Sequence, residues 1–272
     1  MRSDVTVIVP AWRCAATIGR SLESLAAQAG GPAPHVIVAV NDGDPASVAA
    51  AEAHRGALEA RGMRFDVIST PPGRRAAFAG AEAIAAPGGA RLYLDQDARL
   101  SPGALAALAR AADGGEARMI ALALRFTRSP SFAVRAFLRA WLSLPYVQAS
   151  PVVAGAFAVS AAGRARWTAL PPLASDDKFV RMCFAPAERS YLADEHYEVI
   201  APASFGELVR RRAGYMRGNR ELARHFMATP AVDSRRLAGW PRLLLRPIDL
   251  AVLMATVAAA TLLSWRRRPA RA

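Results

Sequence analysis

Cysteine and lysine are both scarce in this chain of 272 residues. Its two cysteines, Cys14 and Cys183, stand outside any Cys-x-x-Cys spacing, so neither a disulfide framework nor a thiolate metal site is indicated. We therefore expect a reducing compartment. The four histidines, at positions 35, 54, 196 and 225, show no metal-ligand spacing, and each is expected to be a core or surface residue.

A long hydrophobic run is missing near the first residue. The apolar run at residues 5–9 is too short for a signal-peptide core, and Pro10 closes it. We expect a first β-strand there and no export signal.

Negative charge is also in short supply, and the formal net charge is +13. Lys178 is the only lysine, so almost all of the positive charge comes from arginine. The basic residues do not form one block with interleaved aromatics, and we therefore expect no nucleic-acid partner. An anionic bilayer surface or a phosphorylated substrate would use the same charge, and we expect one of those instead.

Short apolar runs alternate with helical patterns over the first hundred residues. Runs at residues 5–9, 35–40 and 65–69 are separated by helical spacing, and alanine-rich helices are expected at about 45–60 and 74–86. This alternation is typical of βαβ units, so we predict a Rossmann-like α/β fold with a mainly parallel sheet. A fourth strand at about residues 91–94 leads into Asp95-Gln96-Asp97.

Polar and glycine-containing segments follow these predicted strands. Pro10, Asn41-Asp42, Gly73-Arg74 and Asp95-Gln96-Asp97 all come directly after an apolar run. Ligands of open α/β sheets gather beyond the carboxyl ends of the strands. We therefore expect a binding site where these segments meet.

The second half of the chain is less regular. We predict a strand near residues 119–126, an amphipathic helix near 132–144, an apolar strand near 152–159, a short helix opening at 175–177 and an arginine-rich helix near 205–224.

Residues 248–265 carry a single charge, Asp249, and arginines flank them on both sides. About 18 residues is marginal for a membrane span, which usually takes about 20. Positive charge on both sides leaves the orientation undecided. We expect a membrane-inserted or interfacial helix, with a buried C-terminal helix as the alternative.

Asp95 and Asp97 are two carboxylates separated by one residue at the end of a predicted strand. Such a pair can present oxygens to Mg²⁺ or Mn²⁺, which commonly keep substrate phosphate and water as further ligands. Taken alone, the triplet is a weak signal, and a solvated loop is favoured over a metal site.

The order of the motifs resembles family 2 glycosyltransferases with the GT-A fold. The resemblance rests on Val-Pro-Ala-Trp-Arg at 9–13, Asn-Asp-Gly-Asp at 41–44, Gly-Arg-Arg at 73–75 and the Leu-Asp-x-Asp-x-x-Leu-x-Pro context at 94–102. It covers about residues 4–225, and the ordered set is far more specific than any one member.

This resemblance implies roles for the nucleotide-binding residues. Trp12 would stack on a nucleobase, Asp42 would accept a hydrogen bond from the base edge, and Arg74 would meet the phosphates. Each also has an ordinary alternative. Trp12 can be an aromatic in the core or on the surface, Asp42 a turn residue, and Arg74 a solvated residue at a helix start. The same site would include Pro10 and Ala11.

The resemblance also implies a metal site at the acidic triplet. Asp97 would bind Mg²⁺ or Mn²⁺ directly. Asp95 would be a second ligand, or would instead hold the ribose or a metal-bound water. Gln96 would set the turn at the edge of the nucleotide site.

On the acceptor side, Gly155 to Ser160 followed by Gly163-Arg164 resembles the family's strand and turn. The segment at 175–180 resembles its Glu-Asp motif, which implies Asp176 as the catalytic base and Asp177 as the alternative. A carboxylate at a helix start can also be only an N-cap.

Arginines at 210–217 resemble the family's Gln-x-x-Arg-Trp neighbourhood without its glutamine or tryptophan in register. Arg212 and Arg217 are therefore candidate contacts to the diphosphate or acceptor, against a solvated basic face. The sequence departs from the family pattern at four further positions, which put the donor's identity in question: Arg13, Asn41, Asp44 and Ala79.

The resemblance implies an inverting, metal-dependent transfer of a sugar from a nucleoside-diphosphate sugar, with a UDP-sugar favoured, to a hydroxyl of a glycan or lipid-linked acceptor. We expect a GT-A domain at 1–228, with a nucleotide half at 1–100 and an acceptor half at 101–228, and a C-terminal segment at 229–272. The cytosolic face of the cell membrane is the expected location, with the protein peripheral to it or anchored there.

Two other functions are compatible with the motifs. A sugar nucleotidyltransferase would carry a glycine-rich basic loop after the first strand, and residues 10–13 do not supply one. A non-catalytic nucleotide-sugar-binding module would retain the fold without turnover.

Overall fold

The computed structural model describes residues 4–144, 147, 155–171, 175–226 and 246–265. Its strands are β1 Val5–Ala11, β2 His35–Asn41, β3 Arg64–Thr70, β4 Ala90–Leu94, β5 Arg99–Leu100, β6 Met119–Phe126, β7 Ala156–Val159 and β8 Arg189–Val199. Its α-helices are α1 Gly19–Ala26, α2 Pro45–Glu52, α3 Arg55–Glu59, α4 Arg74–Ile84, α5 Ala104–Ala112, α6 Phe132–Leu142, α7 Ala161–Arg164, α8 Asp176–Met182, α9 Phe205–Phe226 and α10 Pro247–Trp265.

The strands form one eight-stranded sheet in the order β3-β2-β1-β4-β7-β6-β8-β5. The pairs β1–β2, β2–β3 and β1–β4 are parallel. The pairs β4–β7, β6–β7 and β5–β8 are antiparallel. The α/β class and its parallel, Rossmann-like half are thus confirmed, and the parallel part of the sheet ends at β4.

Both faces of the parallel half are covered, which explains its nearly continuous apolar strands. Every residue of β1 is buried. Val7 and Val9 pack in one core cluster, while Ile8 between them packs in a second cluster on the other face. The two-residue period of a strand therefore places the core on both sides of the sheet.

Two stretches differ from the expected elements. The expected single helix at 45–60 is broken after Glu52 into α2 and α3, and Gly56, a poor helix former, stands just beyond the break. The long strand β8 was not expected, because most of its side chains remain partly exposed and its residues do not alternate as a half-buried strand does.

The chain divides into two compact units. The first comprises residues 1–125, 152–172 and 177–200, and it carries the sheet. The second comprises residues 126–151, 173–176 and 201–272, and it carries α6, α9 and α10. The expected domain boundary at 228 and 229 lies outside the described residues and stays a prediction.

Apolar side chains from its three helices form the core of the second unit. Phe137 and Leu138 of α6, Leu208 of α9 and Leu253 of α10 belong to one buried cluster. A smaller cluster further along joins residues of α9 with Ala260 of α10. By length and composition, α10 is also long and apolar enough to cross a membrane.

Candidate active site

The candidate site lies at the carboxyl edge of the parallel strands in the first unit. β1 ends at Ala11 and β2 ends at Asn41, while β4 ends at Leu94. Because these strands are parallel neighbours, their carboxyl ends open on the same edge of the sheet. The predicted segments that begin with Trp12, Asp42 and Asp95 are therefore brought together.

Gln96 holds the Trp12 loop against the acidic triplet. Its side-chain Oε1 accepts a hydrogen bond from the Trp12 backbone N–H at 2.7 Å, and its Nε2 donates to the Trp12 carbonyl at 3.2 Å. Trp12 is 49% exposed, and the Arg13 guanidinium lies 5.3 Å from its ring centroid. Gln96, expected to set a turn, thus also positions an exposed aromatic that is available for stacking.

The chain after Trp12 is tied to α2. Arg13 adopts a left-handed φ of 46°, a conformation that asparagine tolerates better than arginine. The backbone N–H of Cys14 donates to Ser47 Oγ, and Ser47 in turn donates to Asp44, the N-cap of α2. Cys14 is fully buried in the core, and this burial raises the pKa of its thiol.

The turn after β2 is linked to the start of α4. Asn41 Oδ1 accepts a hydrogen bond from the backbone N–H of Gly73 at 2.6 Å. Asp42 is exposed and left-handed, with φ 65°, while its backbone N–H donates to the carbonyl of Thr70. Aspartate is among the residues that tolerate this conformation, and the turn leaves its carboxylate at the surface of the site.

Arg74, at the first position of α4, reaches the acidic triplet. Its Nη2 lies 3.0 Å from Asp95 Oδ1, and its guanidinium is 5.1 Å from the Phe78 ring centroid. Both members of the ion pair are partly exposed, so the pair itself adds less than about 1 kcal/mol to stability. Its consequence is local, since it places a guanidinium beside a candidate metal ligand.

Asp95 and Asp97 remain the predicted ligands of a divalent cation. Both are partly exposed at the end of β4, and the backbone N–H of Asp95 donates to the carbonyl of Gly155 at 2.7 Å. Within the described ranges, no group of three or more His, Cys, Asp or Glu side chains could hold a metal by itself. Two carboxylates are the kind of incomplete oxygen ligand set that Mg²⁺ or Mn²⁺ completes with substrate phosphate and water, and the metal site stays a prediction.

Pro10 and Ala11 contribute backbone rather than side chains. Both are buried in β1, and Ala11 belongs to a core cluster. Their predicted contact with the nucleotide is therefore limited to main-chain groups.

Asp176 and Asp177 open α8, as expected from the sequence. Asp176 is 7% exposed and belongs to the second unit, while Asp177 is partly exposed and belongs to the first. The residues just before this helix, at 172–174, lie outside the described part of the chain. The assignment of the base to one of these carboxylates stays a prediction.

Arg212 and Arg217 lie on α9 in the second unit. The Arg212 guanidinium is 5.6 Å from the ring centroids of both Phe137 and Trp141, so it packs against α6. Arg217 is partly buried. Their proposed diphosphate or acceptor contacts stay predictions.

Two residues of α1, which were not predicted from the sequence, form hydrogen bonds with the backbone of the acidic triplet. Ser21 Oγ donates to the carbonyl of Gln96 at 3.2 Å, and Arg20 Nε donates to the carbonyl of Asp97 at 3.4 Å. No local sequence signal marks them, because their partners lie more than seventy residues away. Asn41, by contrast, lies in one of the strand-end segments that the sequence marks as part of the site.

The Glycosyl transferase family 2 model matches residues 6–151, which span β1 to β6 and every segment of the site edge. The chain belongs to glycosyl transferase family 2. This membership confirms the family resemblance and makes the protein a glycosyltransferase. A search of curated proteins found no relative by sequence.

Solved structures with the same fold support this family 2 assignment at the level of architecture. The mannosyltransferase PcManGT from Pyrobaculum calidifontis has a TM-score of 0.60 at 21% identity, covering 97% of this chain and 79% of its own. Residues 1–349 of S. aureus TarS have a TM-score of 0.55 at 15% identity, and the match covers 94% of this chain and 83% of the TarS chain. Glucosyl-3-phosphoglycerate synthase from Mycobacterium tuberculosis has a TM-score of 0.54 at 17% identity, and the match covers 84% of this chain and 81% of the synthase chain. The chain spans 49% of the longer TarS structure. The predicted GT-A fold is confirmed.

Proposed function

We propose that this glycosyltransferase moves a sugar from a nucleoside-diphosphate sugar to an acceptor hydroxyl, with inversion at the anomeric carbon and with dependence on Mg²⁺ or Mn²⁺. The observation that carries the proposal is the convergence of Trp12, Asp42, Arg74 and the Asp95–Asp97 triplet on one edge of the sheet. Direct hydrogen bonds join these segments, Trp12 to Gln96, Gly73 to Asn41 and Arg74 to Asp95.

The donor's nucleotide would lie along this edge. The exposed ring of Trp12 offers a stacking face for the base, and the surface carboxylate of Asp42 can accept a hydrogen bond from a base N–H. Arg74, already half exposed beside the triplet, supplies a guanidinium to the diphosphate. We favour a UDP-sugar, and UDP and UDP-GlcNAc are the ligands named for two TarS complexes.

Asp97, with Asp95, would hold the divalent cation. When bound there, the cation supplies positive charge that stabilises the departing diphosphate. The PcManGT complex and two complexes of the mycobacterial synthase contain Mn²⁺ together with a nucleotide or nucleotide sugar.

The acceptor side needs a separate base. An acceptor hydroxyl would attack the anomeric carbon from the face opposite the diphosphate, and the bond to the diphosphate oxygen would break as the new glycosidic bond forms. The hydroxyl proton would pass to a carboxylate, for which we propose Asp176. The electron pair of the broken bond would leave with the nucleoside diphosphate.

The acceptor is proposed to be a glycan or a lipid-linked saccharide at the cytosolic face of a membrane. The support is the apolar helix α10 with arginine on both sides of it. A membrane-bound enzyme would meet such an acceptor at the bilayer surface.

The proposed function is tested by screening UDP- and GDP-sugars for release of nucleoside diphosphate with Mn²⁺, with Mg²⁺ and with chelator. We expect release only with a divalent cation present. Asp97→Ala should abolish metal-dependent donor binding, measured as the donor-induced rise in melting temperature, because it removes the direct ligand. Asp176→Asn should keep donor binding and lower transfer by about 10² to 10⁴-fold, because it removes only the base.

Asp4→Ala, at an exposed position just before β1, is the matched control for Asp97→Ala and should behave as wild type. Asp177→Asn is the control for Asp176→Asn, and a larger loss in Asp177→Asn would transfer the base role to that residue. Full activity in both Asp97→Ala and Asp176→Asn would refute the site assignment. Donor binding without any transfer or hydrolysis would favour a non-catalytic binding module.

A further inference from the structure

The polarity of α10 is inverted relative to a helix on the surface of a protein in water. Its buried residues recur at helical spacing on one face, and three of these five are polar: Asp249, Leu253, Thr256, Ala260 and Ser264. A water-facing helix normally buries an apolar stripe and exposes polar residues. In α10, the polar groups face the protein.

Hydrogen bonds fix this orientation near both ends of the helix. Arg139 of α6 forms a two-pronged ion pair with the buried carboxylate of Asp249, at 2.7 and 3.0 Å. Arg220 of α9 donates to the side-chain oxygen and to the carbonyl oxygen of Ser264, at 2.9 and 2.7 Å. Turning the helix would break these charged contacts, so its outward face is set by the packing of the second unit.

The outward face is apolar along its whole length. Leu262 is 71% exposed and Trp265 is 67% exposed, far more than large apolar side chains in a core. The other exposed positions of the helix are also apolar or small: Pro247, Ile248, Ala251, Met254, Ala255, Val257 and Ala258. A continuous exposed apolar surface of this kind marks an interaction site.

Packing against α9 argues against a transmembrane arrangement of α10. The two helices lie side by side, with Ala213 and Met216 of α9 in the same cluster as Ala260. The exposed positions of α9 include Arg210, Arg211 and Arg224, and charged side chains are costly to place in hydrocarbon. If α10 crossed the bilayer, α9 would be drawn into the hydrocarbon beside it. Lipid can therefore cover only the outward face of α10.

Charge near the first turn of α10 identifies the kind of lipid. Arg246 is exposed, and together with Arg139 it lines an open recess of about 430 Å³ beside Ile248 and Phe132. Asp249 already forms the close pair with Arg139 and lies 3.9 Å from Arg246, so the recess carries a net positive charge. Trp265 in the last turn is 67% exposed with the Arg220 guanidinium 4.7 Å from its ring centroid, and tryptophan is a residue type enriched at membrane–water interfaces.

We propose that α10 lies in the plane of an anionic lipid bilayer, with its outward face among the acyl chains and its inward face on α6 and α9. Arg246 contacts the acidic headgroups at one end, and Trp265 lies at the interface at the other. This arrangement adds an anionic membrane to the proposed function and does not depend on glycosyl transfer.

The partner is tested by sedimenting the purified full-length protein with vesicles of phosphatidylcholine alone or mixed with phosphatidylglycerol. We expect binding to the mixed vesicles that weakens with salt and is at least several-fold weaker on phosphatidylcholine. The double variant Met254→Glu/Leu262→Glu should lower the partition coefficient by about tenfold or more, because it places two charges in the lipid face.

Ile84→Glu is the matched control, since it adds a charge at an exposed apolar position of the first unit. It should bind vesicles as wild type does. Unchanged melting temperatures would show that the variants are folded, and nucleoside-diphosphate release in solution should be equal in all of them. Equal vesicle binding by the double variant and wild type, or no binding by wild type, would overturn the proposal.

Orientation is tested with a polarity-sensitive fluorophore on Ala251→Cys or Leu262→Cys, in a Cys183→Ser background. Both labels should shift to the blue on mixed vesicles and be quenched equally by a shallow nitroxide lipid, because an in-plane helix keeps its two ends at one depth. Clearly unequal depths would indicate a spanning helix. If wild type formed a stable dimer that the double variant dissociated, and vesicle binding were unaffected, the outward face would belong to a second copy of the chain. A spanning helix or such a dimer would each contradict the proposal.

Discussion

Gln96 closes the Trp12 loop with both ends of one amide. The side chain was predicted at the nucleotide site because it stands between two aspartates, yet its hydrogen bonds go to the backbone of another loop. An aromatic held in advance loses less freedom when it stacks on a base, which favours binding. Gln96 is therefore a positioning residue for Trp12.

Gln96→Ala should weaken donor binding by about three- to tenfold, because each lost hydrogen bond contributes on the order of 1 kcal/mol to the ordered loop. The effect should appear in KM for the donor, with kcat nearly unchanged, in a steady-state assay. Gln96→Glu is the matched control, since its carboxylate still accepts from the Trp12 N–H but cannot donate to the Trp12 carbonyl. We expect an intermediate KM, and a loss confined to kcat would contradict a positioning role.

Glu82 joins three elements of the first unit. From α4 it accepts hydrogen bonds from Tyr93 of β4 at 2.8 Å and from Arg164 of α7 at 2.9 Å, and its second oxygen accepts from Arg91 at 3.0 Å. Arg91 is only 4% exposed. The Glu82 carboxylate thus neutralises the guanidinium groups of Arg91 and Arg164 where α4 packs on the sheet.

The surroundings of Glu82 also set its protonation. Burial by itself raises the pKa of this carboxyl, but the hydrogen bond from Arg164 and the charge of Arg91 more than offset it, so the pKa lies below the usual range. A lowered pKa in the folded state means that the unfolded chain takes up the proton first. The stability contributed by Glu82 is therefore complete above about pH 4.3, the ordinary glutamate value, and is lost as pH falls through the lowered pKa.

Glu82→Gln should lower the free energy of unfolding at neutral pH by about 3 kcal/mol, because it leaves two partly or fully buried arginines without their counter-charge. Denaturant unfolding at several pH values would measure both this loss and a weaker acid dependence in the variant. Glu52→Gln, which removes a partner of Arg55 on an exposed helix surface, should cost less than about 1 kcal/mol. Equal losses of unfolding free energy in the two variants would show that the burial of the Glu82 ion pairs does not make them more important than exposed ones.

The two compact units depend on different stretches of the chain. The first is assembled around a sheet whose strands come from residues 5–199, whereas the second joins α6 to helices that follow residue 200. In the second unit α10 fills part of the core, since Leu253 and Ala260 are buried against α6 and α9. The C-terminal helix is a structural component as well as a surface.

Truncation before Arg246 should therefore destabilise the protein instead of releasing an intact soluble domain. We expect a melting temperature lower by roughly 10 °C and faster proteolysis within α9, because the loss of α10 uncovers apolar residues of the core. Differential scanning fluorimetry and limited proteolysis would measure these effects. Truncation after Trp265 is the control and should leave the melting temperature unchanged, while an equally stable shorter form would show that α10 is an independent anchor.

Much of the first unit follows from periodicity. The runs at β1, β2 and β4 are apolar because both faces of the sheet are covered there, so their positions can be read directly from the chain. The polar segments after them come together because parallel strands share a carboxyl edge. β8 could not be predicted in the same way, since its mostly partly exposed residues leave no alternating pattern.

Local order in the chain was sufficient to recognise the family, which the family model confirms, and to predict Trp12, Asp42, Arg74 and Asp97 as members of one motif series. The contacts that hold those residues required the folded molecule, because Gln96 meets Trp12 and Arg20 meets Asp97 across long stretches of chain. The same holds for α10. Its composition indicates an apolar helix, but which face is buried depends on Arg139 and Arg220 from other helices, and no periodicity within the helix encodes those partners.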